Sequence, residues 1–185
     1  MNNTFFIVIG IAIVLVIIFI YNSLISKKNQ VKNALSGIDV QLKKRSDLVP
    51  NLINTVKGYM EHEKQLLEAV TKTRTQAAQQ KEGTQKRFAS ENMLTQLLAQ
   101  LYVVAENYPQ LKASENFLKL QAQLYDIEEH IAAARRAYNG AVYTYNNIVQ
   151  MFPSSLVASA MGFKSQPMFD APENETTNVN VNEKF

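Results

Sequence analysis

The sequence has no cysteine and no tryptophan, only two histidines, and glycine at six scattered positions. Without cysteine there is no disulfide framework, no thiolate metal cluster and no thiol nucleophile. Gly10, Gly37, Gly58, Gly83, Gly140 and Gly162 never form a Gly-x-Gly, which leaves no backbone loop to cradle a phosphate and speaks against nucleotide hydrolysis. Serine lacks the Gly-x-Ser-x-Gly setting of a nucleophile elbow, and Asp39 and Asp47 stand too far apart on a helix to act as a carboxylate dyad. The clusters Glu61-His62-Glu63 and Glu128-Glu129-His130 lack the second His one turn away that a His-Glu-x-x-His zinc site requires. No nucleophile, base and oxyanion set can be assembled, so neither catalysis, a metal nor a cofactor is expected.

Charge is equally absent from the start of the chain. Phe5 to Ile20 is wholly apolar, and the uncharged stretch continues to Ile25. At about 1.5 Å per residue a helix of this length crosses the roughly 30 Å hydrocarbon layer. Its Ile and Val residues are poor helix formers in water, but hydrocarbon obliges every backbone amide to bond within its own segment. A cleaved secretory signal is disfavoured, because no basic n-region and no Ala-x-Ala site are present. Only uncharged side chains precede the run, whereas Lys27, Lys28 and Lys32 follow it. The positive-inside rule therefore puts the N-terminus outside and the rest of the chain in the cytoplasm. Tyr21 lies where an interfacial aromatic belongs.

What is abundant is a seven-residue apolar repeat. From Val31 it runs through Leu35, Ile38, Leu42, Arg45, Val49, Leu52, Val56, Tyr59, Glu63, Leu66 and Val70, in alternating steps of four and three. This predicts one long helix from about Lys28 to Gln80 with a coiled-coil-like seam. Pro50 falls inside it, has no N–H to donate, and meets the Ser46 carbonyl, so a kink or break is expected there. Lys81 to Lys86 reads as a turn, and a second helix carries Leu94, Leu97, Leu98, Leu101, Val104, Ala105 and Tyr108. Past Tyr108-Pro109, with Ser114 as N-cap, a third helix repeats the spacing from Phe117 through Leu120, Leu124, Ile127, Ile131, Ala134, Tyr138, Val142, Tyr145 and Val149 to Phe152. Ala133, Ala137 and Ala141 form a ridge expected to pack against another helix. The expected fold is all-α: a short N-terminal tail (1–4), a transmembrane helix (5–25), a bundle of long antiparallel helices (26–163) and a disordered polar tail (164–185). The bundle has three helices, or four if Pro50 divides the first; otherwise the unequal helix lengths leave seams to pair with neighbouring chains.

Basic residues crowd the first half. Lys27, Lys28, Lys32, Lys43, Lys44 and Arg45 have only Asp39 among them, which favours anionic headgroups as well as an acidic third helix. No nucleic-acid recognition motif accompanies them. Arg45 and Glu63 occupy seam positions that the pattern otherwise gives to apolar side chains. They either fix register through a polar contact or lay their stems along the core edge with the heads in water. Arg135 is a candidate partner for an acid on the first helix.

The run Ile38-Asp39-Val40-Gln41-Leu42-Lys43-Lys44-Arg45-Ser46-Asp47-Leu48-Val49-Pro50-Asn51-Leu52, continued by Val56-Lys57-Gly58-Tyr59 and His62-Glu63, closely resembles the LemA family of bacterial membrane proteins. So do Tyr108-Pro109-Gln110-Leu111-Lys112-Ala113, the pairs Tyr138-Asn139 and Tyr145-Asn146, and Phe152-Pro153. The resemblance spans most of the chain from Tyr21 to Phe169. It implies a single N-terminal membrane helix with a cytoplasmic helical bundle, and no enzymatic activity. A related protein takes part in building magnetosome membranes, so a scaffold or membrane-organising role follows by analogy alone. The candidate interaction positions are Asp39, Arg45, Asp47, Asn51, Glu63 and Arg135. The expected partners are the lipid bilayer, further copies of this chain and a membrane protein; the alternative function is an accessory or regulatory subunit of a membrane enzyme such as a protease, presenting a polar face around Arg45 and Glu63.

Overall fold

The computed structural model describes residues 2–169, and among these every regular element is helical. Six helices follow in order: α1 (Asn2–Lys57), α2 (Lys64–Gln79), α3 (Gln85–Ala105), α4 (Pro109–Lys112), α5 (Glu115–Gln150) and α6 (Ser154–Ala160). They form two compact units: one of the residues up to Gln41 with Glu129–Met168, the other of Leu42–Glu128 with Phe169.

The first seam is buried as its period requires. Val31, Ile38, Leu42, Val49, Leu52 and Val56 are all enclosed, and Leu35 is half-buried. The seam departs from expectation at Tyr59 and Glu63, because α1 stops at Lys57. Gly58 gives little support to a helix, and the carbonyl of Val56 accepts from both Tyr59 N and Met60 N at 2.9 Å. Met60 rather than Tyr59 then fills the core, and the seam resumes on α2 at Leu66 and Val70.

Pro50 therefore does not divide the helix; the break comes at the glycine beyond it. The carbonyl that Pro50 leaves without its helical donor is that of Ser46. Arg74, on α2, supplies the missing donor: its Nε lies 3.0 Å from Ser46 O and 2.9 Å from Ser46 Oγ. A local defect in α1 has become a hydrogen bond between α1 and α2.

The remaining punctuation follows local chemistry. Gly83 takes a φ of 68°, which only glycine adopts without strain, and Thr84 caps α3 by accepting from Arg87 N at 3.4 Å. Pro109 opens α4, where its missing N–H costs nothing. Ser114 O accepts from Leu118 N at 3.0 Å at the start of α5. In the second unit Val49, Leu52, Val56, Met60, Leu66, Leu67 and Val70 join Leu94, Leu98, Leu101, Leu111, Phe117 and Leu124 in one apolar cluster.

In the first unit, Leu24, Ile38, Val142 and Tyr145 are wholly enclosed, but the alanine ridge is not: Ala133 and Ala137 are exposed and Ala141 is half-buried. Two of the three ridge positions are thus open, and the close packing expected of the ridge is not seen at Ala133 or Ala137. Phe152, read as the last seam residue of α5, lies past the helix end and is exposed.

The expected disordered tail is also corrected at its start. Tyr145 OH donates to Lys164 O at 3.0 Å and Tyr138 OH to Pro167 O at 2.9 Å. Asn146 binds both sides of Gln166, donating to its carbonyl at 2.9 Å and accepting from its N–H at 2.8 Å. The two Tyr residues and the Asn, on one face of α5, thus hold an extended strand of chain that carries no secondary-structure hydrogen bonds of its own. Phe169 is buried and stacks on Phe88 with ring centroids 4.1 Å apart. The rest of the tail lies outside the described residues.

Arg74→Met should lower stability by about 1–3 kcal/mol, since it orphans the Ser46 carbonyl. Pro50→Ala restores a helical donor to that carbonyl and should itself stabilise by up to about 3 kcal/mol. In the Pro50→Ala background, Arg74→Met should cost clearly less, which thermal melts of the four proteins in mild detergent will read as a coupling energy.

Candidate functional site

A charged side chain on an apolar seam must find counter-charges or be expelled. Arg45 finds them. It is 0% exposed, and its guanidinium reaches two other helices. Nη2 donates to Glu91 Oε2 at 2.5 Å and to the Glu91 carbonyl at 3.1 Å; Nη1 donates to Glu128 Oε1 and to Thr95 Oγ1, both at 2.6 Å. Glu91 and Thr95 sit one turn apart on α3, and Glu128 on α5. The Thr95 hydroxyl lies 3.2 Å from the Glu91 carbonyl and 3.4 Å from Glu128 Oε2, and its single hydrogen serves one of them. Arg87 Nε stands 3.7 Å from Glu91 Oε1, so two guanidinium groups face two carboxylates. The charges cancel locally, as burial in a low-dielectric interior demands.

Arg45 Nε and the hydroxyl of Tyr102 are buried at the cluster without a hydrogen bond. Burial, reinforced by the nearby Glu128 carboxylate, pushes the Tyr102 phenol well above its ordinary value. The arrangement locks three helices, α1, α3 and α5, at one level. Both carboxylates are engaged by guanidinium groups, and the Thr95 hydroxyl is held between the Arg45 guanidinium and the Glu128 carboxylate.

The candidate positions scatter. Arg45 is buried rather than snorkelling, and Glu63 is half-buried in the turn before α2 without meeting it. The expected polar face around Arg45 and Glu63 is thus not there. Asp47 is exposed and pairs with Lys43 at 2.8 Å, one turn earlier on α1. Asn51 is exposed, and its carbonyl accepts from Thr55 Oγ1 at 2.9 Å. Asp39 is half-buried in the first unit, close enough to Tyr138 to add its charge to the burial that raises the Tyr138 phenol above its usual range. Arg135 is half-buried in the same unit.

The sequence reading missed Glu91, Thr95 and Glu128. A signal existed for Glu91: with Phe88, Leu94, Leu98, Leu101 and Ala105 it continues the seam of α3 one turn upstream of Leu94. Acids on seam positions of two helices are what an arginine on the seam of a third calls for. Glu128 gave less warning, because the apolar Ile127 beside it satisfies the period.

A separate open cleft of about 1080 Å³ lies between the end of α1 and α2. Ile53, Met60 and Leu67 line it with Lys57, Lys64 and Lys72. His62 is exposed on its wall and Glu63 is not part of the lining. Among the described residues, no three His, Cys, Asp or Glu side chains converge as a metal-binding group.

The described residues thus form an all-helical protein with one helix long and apolar enough to cross a membrane and with a buried ion cluster in its bundle. The chain belongs to the LemA family, whose model matches residues 34–183. Among curated relatives it is 25% identical to Protein LemA of Metamycoplasma hominis, over 97% of this chain and 84% of that protein. It is 21% identical to Magnetosome protein MamQ 2 of Paramagnetospirillum magneticum and 20% identical to Magnetosome protein MamQ of Magnetospirillum gryphiswaldense. Each of these matches covers 90% of this chain and 71% of the relative.

Arg45→Ala strands two carboxylates and should cost about 3–5 kcal/mol. The combined change Arg45→Met, Arg87→Met, Glu91→Leu and Glu128→Leu removes both guanidinium groups with both carboxylates and should recover most of that loss, since apolar packing replaces ion pairing without desolvation. Thermal unfolding followed by circular dichroism separates the two. Raised phenols have a further consequence at high pH. Above about pH 10 the unfolded chain releases phenolic protons that the folded chain still holds, so stability falls as pH rises. Tyr102→Phe should make that fall shallower, by up to about 1.4 kcal/mol per pH unit, and should be neutral or stabilising at pH 7 because it removes an unpaired buried hydroxyl.

Proposed function

We propose that this protein is a membrane-anchored, non-catalytic helical scaffold that crosses the bilayer once, with its N-terminus outside and its bundle in the cytoplasm, and that associates with copies of itself or gathers membrane partners. The observation that carries this reading is the apolar start of α1. Every large apolar side chain from Phe5 to Phe19 is exposed, and none of this window is buried by the rest of the chain. So long a run of bare hydrocarbon requires a cover, and its length suits a bilayer. Lys27, Lys28 and Lys32 after the span, against uncharged side chains before it, support the orientation. Membership of the LemA family supports a membrane-associated helical protein.

The bundle's own surface supports association. Met93, Val103, Leu118 and Tyr125 are large, apolar and exposed on α3 and α5. The buried charged cluster around Arg45 is closed by the bundle's own helices, which fits a domain selected for shape rather than turnover.

Because the chain has no cysteine, single substitutions report cleanly. Tyr125→Cys in native membranes, treated with a thiol cross-linker, should yield species larger than the monomer. Monomer alone at native expression, for Tyr125→Cys and for Val103→Cys alike, would overturn self-association. A membrane-impermeant maleimide added to intact cells should label Asn3→Cys and spare Lys32→Cys; the reverse pattern would overturn the orientation.

A further inference from the structure

We propose that the corner joining α5 to α6 is a second membrane contact, in which Met151, Phe152, Leu156 and Met161 enter the headgroup region of the bilayer that α1 crosses. The proposal rests on the reading of α1 as a span. Phe152 is 80% exposed, more than any other large apolar side chain among the described residues, and Met151, Leu156 and Met161 are each more than half exposed. Four bare apolar side chains within so short a segment need a cover.

The structure ties this segment to the end of the span. Phe163 packs edge-on against Tyr21, with ring centroids 6.0 Å apart. Lys28, two turns further along α1, places its ammonium 5.5 Å from the Phe163 ring centroid. Phe163 thus lies between the last aromatic of the apolar run and the first basic residues, which is the depth of a membrane interface. Its link to α6 is rigid. Gly162 takes a φ of 72°, Phe163 N donates to Ala158 O at 2.9 Å and Gly162 N to Ser159 O at 3.2 Å. These two bonds with a left-handed glycine make a Schellman turn, which fixes how the chain leaves α6. At the other end Ser155 N and Ser154 Oγ both donate to Met151 O, at 2.7 and 2.8 Å, and fold the corner tightly. The strap from Lys164 to Pro167 then holds the chain beyond Phe163 to α5. A short helix bound at interface depth, bare on its apolar side chains and followed by Phe163 under the Lys28 ammonium, fits a lipid surface: acyl chains for the apolar side chains and anionic headgroups for the ammonium.

The test uses the full-length protein in anionic vesicles, with an environment-sensitive fluorophore on one introduced cysteine and nitroxide-bearing lipids as quenchers. Phe152→Cys and Leu156→Cys should emit at shorter wavelength than in water and lose about half their emission to nitroxides near the glycerol end of the acyl chain. Val40→Cys is the aqueous control: Val40 is exposed on the same helix as Tyr21, about 28 Å further along it, and should be unquenched. Ile13→Cys should be quenched best by nitroxides deep in the chain. Quenching at Ile13 with none at Phe152 or Leu156 would overturn the second contact and leave the span standing. Absence of quenching at Ile13 would overturn the span, and the second contact with it.

Discussion

The burial of one guanidinium constrains the rest of the bundle. Arg45 has no exposed surface, so the cost of taking its charge out of water must be met by groups on other helices at one level. Glu91 and Thr95 on α3 and Glu128 on α5 meet it. Sliding any of these helices by one turn would strand a charge in the interior, whereas the apolar seams around it tolerate a shift of one heptad with little loss. Register is therefore set by the ion cluster, and apolar burial supplies the stability.

The next residue extends the same logic to another helix. Ser46 is freed of its helical hydrogen bond by Pro50, and Arg74 on α2 takes it up. Two consecutive residues of α1 thus tie it to α3 and α5 through a side chain and to α2 through a carbonyl. A proline that looks like a flaw in the seam creates an acceptor that an unbroken helix would not offer. The turn at Gly58 lets α2 fold back along α1, which the continuous helix expected from periodicity could not do.

Polar groups play the corresponding part in the other unit, where Tyr138, Tyr145 and Asn146 hold the chain from Lys164 to Pro167. These side chains stand at or beside apolar seam positions, so their rings serve the core while their polar ends satisfy an extended backbone. Of the paired Tyr-Asn residues that marked the family resemblance, Tyr138, Tyr145 and Asn146 acquire a physical reason: they anchor the strand that follows Phe163, which packs on Tyr21 and Lys28.

The sequence by itself determined the helical class, the apolar run and the turn at Gly83, because each is written in local period and composition, and it carried the family in the residue motif from Ile38 to Leu52. It marked Arg45 as anomalous for the same reason, a charge on an apolar seam. Periodicity cannot see through its own punctuation, so it carried the first helix past Gly58 to Gln80 and put the break at Pro50. Nor could it say what Arg45 pairs with, since Glu91 and Glu128 lie far along the chain and meet it only once α3 and α5 are packed. The order of the chain from Lys164 to Pro167 was hidden likewise: its polar composition reads as a tail, and only Tyr and Asn side chains on α5, brought alongside by folding, give its backbone the partners it lacks.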